Sequence, residues 1–350
     1  MKRPQGAGYQ RRLTAWFGPL SILRFGSSIK RVKVTARINP PSPEHRPSFR
    51  LALLHPKYLG VWLSMPLFIL LAFLPFRWRD AVAVRLGRVV GRRARRSRRR
   101  AEINLRLCFP QWSEQRRQRL VDEMFELAAI SLLSGTTLLV RSRRWLERHI
   151  KLVGEEHLKP YLGGDKPLIF VVPHTWFVDF PGLLLASRGY PMTTMVNPQK
   201  NEATDYLMQK ARSRFGGKIF GRGAGIHSLL GAIKEGFCAY YLPDQDHGQA
   251  RSEYVPLFAS HKATLPCMGK MLNATGGVIF PMAATYDRSR GQFRGVIRPA
   301  ITEVAADRAA DARRLNQEIE ALIGDDPAQY MWILKFFKSQ PPGTPDPYAR

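Results

Sequence analysis

The chain has 350 residues, 45% of them hydrophobic, and a formal charge of +28. That length suits one large domain with an appendage, or two domains, and the apolar share can fill a sizeable core. So basic a chain attracts nucleic acid, anionic lipid headgroups or an acidic protein, while three scattered cysteines and eight histidines without CxxC, HExxH or HxH spacing indicate neither a zinc site nor a disulfide framework.

Residues 1–50 are basic, rich in Pro, Gly and Ser, and without periodicity, which predicts a disordered arm. Within 51–80 the run "LGVWLSMPLFILLAFLPF", residues 59–76, is nearly all apolar. As a helix it spans about 27 Å, near the thickness of a bilayer core. A membrane anchor is the expectation, with a buried core helix as the alternative; Pro66 and Pro75 also permit a kinked or interfacial element. The segment lies too deep in the sequence for a cleaved signal peptide. Residues 81–148 read as a basic helical segment at the membrane surface. Their run "RLGRVVGRRARRSRRR", residues 85–100, favours a cytoplasmic C-terminal domain with arginines on anionic headgroups. Ser113 is placed to cap a helix that starts "SEQRRQRLVDEMFELAAISLLSG".

From residue 149 to 350 the pattern changes. Short apolar runs at 167–172, 192–196, 217–220, 237–242, 278–282 and 293–298 predict strands. Helical stretches at 181–188, 202–215, 226–235, 263–275 and 307–323 separate several of them. Such alternation predicts an α/β layer with a mostly parallel central sheet flanked by helices.

Three stretches carry chemistry. "LIFVVPHTWFVDF", 168–180, places His174 and Asp179 after a buried strand. In one continuous helix, positions five apart sit about 140° apart. The pair therefore meets only if His174 lies in the turn and Asp179 near the helix start, which Pro181 supports. A carboxylate beside an imidazole fixes its tautomer and raises its basicity, as a general base needs. The bland reading is a capping Asp and a satisfied loop His. "AYYLPDQDHG", 239–248, repeats an apolar run, a proline and polar residues. Asp244 and Asp246 there read either as a D-x-D metal site or as an Asx turn. "QKARSRFGGKIFGRGAG", 209–225, sets Lys210, Arg212, Arg214, Lys218 and Arg222 across a helix end and a glycine turn. Their guanidinium groups suit phosphate or a developing oxyanion, and a solvated basic face is the competing reading. No G-x-S-x-G elbow exists and no cysteine is placed for activation, so a covalent acyl-enzyme is not suggested.

The segments "PHTWFVD", "YYLPDQDHG", "FGGKIFGR", "INLRLCFP" and "QYMWILKFFK" together resemble the late, secondary acyltransferases of lipid A biosynthesis, most of all their myristoyl-type branch acting on a Kdo-bearing lauroyl precursor. The resemblance runs from about Pro47 to Tyr348. It implies a glycerol-phosphate-acyltransferase-like fold with an N-terminal membrane helix, at the cytoplasmic face of the bacterial inner membrane. It implies acyl carrier protein thioester as donor, a lipid A precursor as acceptor, and no metal or other cofactor. The family's H-x4-(D/E) dyad falls on His174 and Asp179, its arginine on Arg212, and the first aspartate of its P-D-x-D element on Asp244. Asp244 is then expected to order the site and not to bind metal. Lys210, Arg214 and Arg222 become candidates for carrier protein or lipid phosphate, and Trp176, Phe177 and Phe180 for the wall of an acyl groove. Anionic membrane lipids account for the basic surface and nucleic acid does not. A lysophospholipid or glycerol-phosphate acyltransferase, a metal-dependent glycosyltransferase and a non-enzymatic basic protein are the rival readings.

Overall fold

A computed structural model describes residues 44–349. The arm expected to be disordered lies, over 1–43, outside the described residues. Residues 44–50 run extended and are tied down: the His45 amide donates to the Ile219 carbonyl at 2.7 Å, and its imidazole meets Asp205 at 2.7 Å.

Seven strands form the central sheet, in the order β1-β9-β8-β2-β5-β3-β4. They are β1 (Ile150–Val153), β2 (Leu168–Val171), β3 (Met192–Val196), β4 (Lys218–Gly221), β5 (Cys238–Tyr241), β8 (Val278–Asp287) and β9 (Gln292–Ile297). Every neighbouring pair is parallel except β8 with β9. The expected mostly parallel α/β layer is therefore present. β2 sits at its centre, buried on both sides, because successive side chains face opposite ways. Leu168, Phe170 and Val172 enter one apolar cluster with α4 (Glu114–Val140) and α6 (Asp179–Ser187). Ile169 and Val171 enter a second, with α8 (Ile226–Lys234), α9 (Met268–Thr275), α10 (Arg308–Ile323) and the segment Tyr330–Phe337. Phe170 and Phe280 are fully buried, and truncating either to Ala costs about 3–5 kcal/mol.

Two expectations change. The helix expected from residue 263 begins only at Met268: residues 263–264 instead end β7 (Ser260–Thr264), which pairs antiparallel with Glu253–Leu257 (β6) as a separate two-stranded ribbon. Pro266 keeps the helix from starting before Met268, since the residue preceding a proline is pushed out of the helical region. β8 is twice the expected length, because its second half forms the hairpin with β9.

At the N-terminal side α1 (Leu59–Phe73) is followed by α2 (Phe76–Arg93) and α3 (Arg95–Cys108). Two helical stretches among the described residues are long and apolar enough to cross a membrane: Pro56–Phe73, largely exposed, and α4, more than half buried. α4 belongs to the core. Its start is capped as expected, Ser113 Oγ accepting from the Arg116 amide at 3.3 Å. α2 packs on α4 through Ala83, Gly87 and Gly91, one residue per turn; a Cβ at Gly87 would stand 2.7 Å from the Phe125 carbonyl oxygen. The opposite face of α2 exposes Trp78, Val82, Leu86, Val89 and Val90.

Candidate active site

His174 and Asp244 leave neighbouring parallel strands by the same route. β2 and β5 are aligned with Val171 opposite Tyr241. Each chain then passes one apolar residue and a proline, Val172-Pro173 and Leu242-Pro243, before the polar residue. The Val172 amide adds a last ladder bond to the Tyr241 carbonyl at 2.9 Å. Proline, lacking an N–H, ends the ladder there. Equal offsets from a shared register put the two side chains side by side at the C-terminal rim of the sheet, the usual ligand side of an open α/β layer.

Asp244 is wholly buried and accepts three hydrogen bonds. Its Oδ1 takes the His174 Nδ1–H. Its Oδ2 takes the His174 amide at 2.7 Å and the Tyr330 hydroxyl at 2.9 Å. Burial alone would raise the carboxyl pKa. The His174 charge, and then the hydrogen bonds from His174 and Tyr330, outweigh it and hold Asp244 below the usual carboxylate range. With Nδ1 donating, His174 Nε2 carries the lone pair. That nitrogen is 3.0 Å from the Gln245 side-chain amide. Gln245 Oε1 accepts from Arg222 Nη1 at 2.9 Å, so its NH2 end is the one turned to the imidazole.

Asp179 does not hold His174, as the H-x4-D spacing led one to expect. Both of its oxygens are engaged by Arg212, Nε to Oδ1 at 2.8 Å and Nη2 to Oδ2 at 2.9 Å. A bidentate guanidinium pair is stronger than a neutral hydrogen bond. It also joins the first residue of α6 to the last residue of α7 (Glu202–Arg212), so each charge complements its own helix dipole. Burial lowers the Arg212 pKa, but Asp179 more than compensates and the net direction is upward. Two glycines bring the surrounding backbone in close. Gly295 on β9 has no room for a side chain, since a Cβ would meet Pro181 of α6 at 2.9 Å, and Gly217, at φ +103°, turns the chain over the Met192 carbonyl.

Three cavities meet around these residues. One of about 250 Å³ lies between the ends of β3, β4, β5 and α6; His174, Asp179 and Arg212 line it with Leu183, Met192 and Leu242. A second, of about 390 Å³, is an apolar groove between α1, α4 and α7, lined by Met65, Phe68, Leu132 and Met208, and Asp179 and Arg212 stand at its inner end. The ion pair is therefore a shared wall. A third, of about 530 Å³, opens on the far side of His174, beyond Gln245 and Arg222.

The other expected site residues separate. Arg222 reaches the site through Gln245 and also sits 3.2 Å from His247 Nδ1. Arg214 instead donates to the carbonyls of Leu138, at 3.2 Å, and Arg141, at 2.5 Å, where α4 ends. Lys210 is exposed and 3.2 Å from the Tyr206 hydroxyl. Neither lines a cavity described above, because each points along α4 or α7 and away from the rim. Phe177 and Phe180 are core, packed against Phe293. Trp176 is wedged between the two apolar clusters, so no acyl wall is built from this aromatic run. Asp246 accepts from the Gly248 amide at 2.9 Å and from the Ser339 hydroxyl at 2.8 Å, an Asx turn stitched to a later segment. Among the described residues no group of three or more His, Cys, Asp or Glu could hold a metal ion.

Sequence reading missed Gln245 and Tyr330, and placed His247 beside Asp244 and Asp246 at a strand end without giving it a role. Gln245 and His247 sit inside the quoted "PDQDHG"; only the strand pairing turns that motif toward His174. Burial, then the Arg222 and Lys262 charges, pushes the His247 pKa down to about 4. Lys262 is also wholly buried, and burial lowers its pKa to about 8.

A family model described as "Bacterial lipid A biosynthesis acyltransferase" matches residues 46–339. The chain is 39% identical to the lipid A biosynthesis myristoyltransferase of Escherichia coli over 88% of its own length and 95% of that protein's. It is 30% identical to the lauroyltransferase of the same organism, over 86% and 99%. A solved 1-acyl-sn-glycerophosphate acyltransferase from Thermotoga maritima aligns with a TM-score of 0.32 at 12% identity, covering 71% of this chain and 98% of that one.

Proposed function

Because the chain belongs to the bacterial lipid A biosynthesis acyltransferases, we propose a concrete reaction for its site: transfer of a fatty acyl chain from acyl carrier protein thioester to the 3-hydroxyl of an acyl chain on a Kdo-bearing lipid A precursor. One observation carries it: an imidazole whose Nδ1 is held by a buried carboxylate, with the Nε2 lone pair facing the meeting point of two cavities.

The acceptor hydroxyl displaces Gln245 and gives its proton to His174 Nε2. The resulting alkoxide oxygen attacks the thioester carbonyl carbon. Asp244 stabilises the imidazolium that forms. The tetrahedral intermediate collapses, the C–S bond breaks, and the imidazolium returns the proton to the leaving thiolate. An ester and the free thiol remain, and His174 is again neutral. Arg212 donates to the oxyanion, since Asp179 occupies its Nε and Nη2 and leaves Nη1. Asp179 thus positions Arg212 and not the base. The 250 Å³ cavity holds the hydrocarbon beside the thioester, and the groove under α1 admits the acyl chains of the acceptor from the bilayer.

The membrane reading rests on two adjoining surfaces. Pro56–Phe73 anchors the chain, its outward face carrying Leu59, Leu63, Leu67 and Leu70. A second exposed apolar stripe lies on α2, the next helix, with Arg77, Arg85, Arg92 and Arg93 exposed along it. An apolar stripe edged with arginine suits an anionic cytoplasmic leaflet, and acidic carrier protein can approach the same cationic rim.

Mass spectrometry of lipid A from cells with and without the gene tests the reaction: the proposal requires one secondary acyl chain to be missing. His174→Ala should fail to restore that chain while still sedimenting with membranes, with purified turnover down on the order of a hundredfold or more. Near-normal turnover by His174→Ala would overturn the mechanism.

A further inference from the structure

The 530 Å³ cavity beyond His174 is not used by the chemistry above. Arg222, Arg251, Lys270 and Arg308 line it, and no carboxylate does. Arg308 is paired with Glu253 at 2.7 Å. Arg251 and Lys270 have no ion-pair partner among the described residues. A cavity walled by cations on one side and by His174 on the other focuses positive potential and concentrates anions from solution.

His247 adds an independent sign. Its Nδ1 lies 3.2 Å from Arg222 Nη2. A guanidinium can only donate, so Nδ1 accepts and the ring proton sits on Nε2. That Nε2–H is buried without a partner, although a buried donor left unpaired costs about 1–3 kcal/mol. An oxyanion in this cavity would satisfy it.

We propose that this cavity is the subsite for a phosphate on the headgroup of the acceptor lipid, with Arg222, Arg251, Lys270 and the His247 Nε2–H as donors to its oxygens. The assignment rests on the acceptor reading given above and adds the group by which the acceptor is held. A glycosyl phosphate is rigid and doubly charged, and a cavity of 530 Å³ falls in the range of small-molecule sites. The phosphodiester of the carrier's thioester arm offers the same chemistry with one charge on a flexible tether. It is therefore the source the experiment has to separate.

The full chain in detergent micelles, carrying His174→Ala so that nothing turns over, is titrated with a phosphorylated lipid A precursor and with the same lipid after phosphatase treatment. Adding Lys270→Met should weaken binding of the phosphorylated lipid about tenfold or more, as for a lost charged hydrogen bond, and leave the dephosphorylated lipid unchanged. In the otherwise wild-type enzyme the same substitution should leave the KM for acyl carrier thioester unchanged. Arg251→Gln provides a second variant should Lys270→Met not fold. Equal losses for both lipids would overturn the proposal. So would a raised donor KM with unchanged acceptor binding, which would hand the cavity to the carrier's phosphodiester. A wild-type enzyme that binds the phosphorylated lipid but transfers no acyl chain would sink the proposed reaction and leave the subsite standing.

Discussion

Replacing Asp244 by Asn separates the two carboxylates that could hold the base. Three donors point at Asp244: the His174 Nδ1–H on one oxygen, the His174 amide and the Tyr330 hydroxyl on the other. Asparagine has one oxygen and one NH2. Its better rotamer keeps the oxygen toward the amide and the hydroxyl and turns NH2 toward Nδ1. The imidazole must then accept at Nδ1 and carry its proton on Nε2, where the Gln245 amide already points at it. The lone pair that should take the substrate proton is gone. The opposite rotamer leaves two buried donors unpaired, at about 1–3 kcal/mol each. A base trapped in the wrong tautomer loses about 10⁴ in rate, or about 5 kcal/mol of transition-state stabilisation. Single-turnover acyl transfer from the thioester reads the loss, and the thermal unfolding midpoint checks that Asp244→Asn is folded. Asp179→Asn should cost less, because its carboxylate acts through Arg212. An Asp244→Asn enzyme within tenfold of wild type, or a larger loss from Asp179→Asn, would refute the reasoning and return the orienting role to Asp179.

Arg212→Ala should lower kcat by about 10²–10³, as for a removed oxyanion donor, and Arg212→Lys should recover little, because an ammonium cannot hold Asp179 with two parallel bonds; an effect confined to acceptor KM would reassign the residue to binding. Lys262→Met should stabilise the fold at pH 7. The Lys262 pKa falls from the usual 10.5 to about 8, so the folded chain binds fewer protons than the unfolded one between those values and stability rises with pH across that window. Below pH 8 the whole penalty applies, about 3 kcal/mol; unfolding at pH 7 and above pH 10.5 should show a gain for the variant that disappears at the higher pH, and a variant no more stable at pH 7 refutes it. Leu86→Glu with Val90→Glu, on the exposed stripe of α2, should reduce flotation with anionic vesicles, most of all at high salt where the arginines are screened; unchanged flotation would remove that helix from the membrane surface.

Much of this could be read from residue order. Each strand expected from a short apolar run is present, because a continuous apolar run bounded by turn residues is a local signal of a strand buried on both faces. The departures at residues 263–264 and 283–287 arise where the partner strand, and not local pattern, decides: β7 has only β6 to pair with, and β8 is extended by β9. The site follows the same division. "VVPH" and "YLPD" were visible as similar exits from strands. That they belong together depends on β2 pairing β5 across about seventy residues, which no spacing announces. The H-x4-D interval suggested a contact between His174 and Asp179, and the long-range competitor for each side chain, Asp244 for one and Arg212 for the other, decides otherwise.

The Tyr330 hydroxyl that completes the shell of Asp244 belongs to a segment that follows every strand and helix of the sheet layer. That segment is itself pinned from the other end of the molecule, Asn104 of α3 donating to the carbonyls of Trp332 and Leu334 at 2.5 and 2.8 Å. A chain growing from the ribosome folds its earlier parts first. The sheet, the N-terminal helices and His174 are all translated before Tyr330. The hydrogen-bond shell of Asp244 is complete only once translation has passed Tyr330 and the segment has docked on α3.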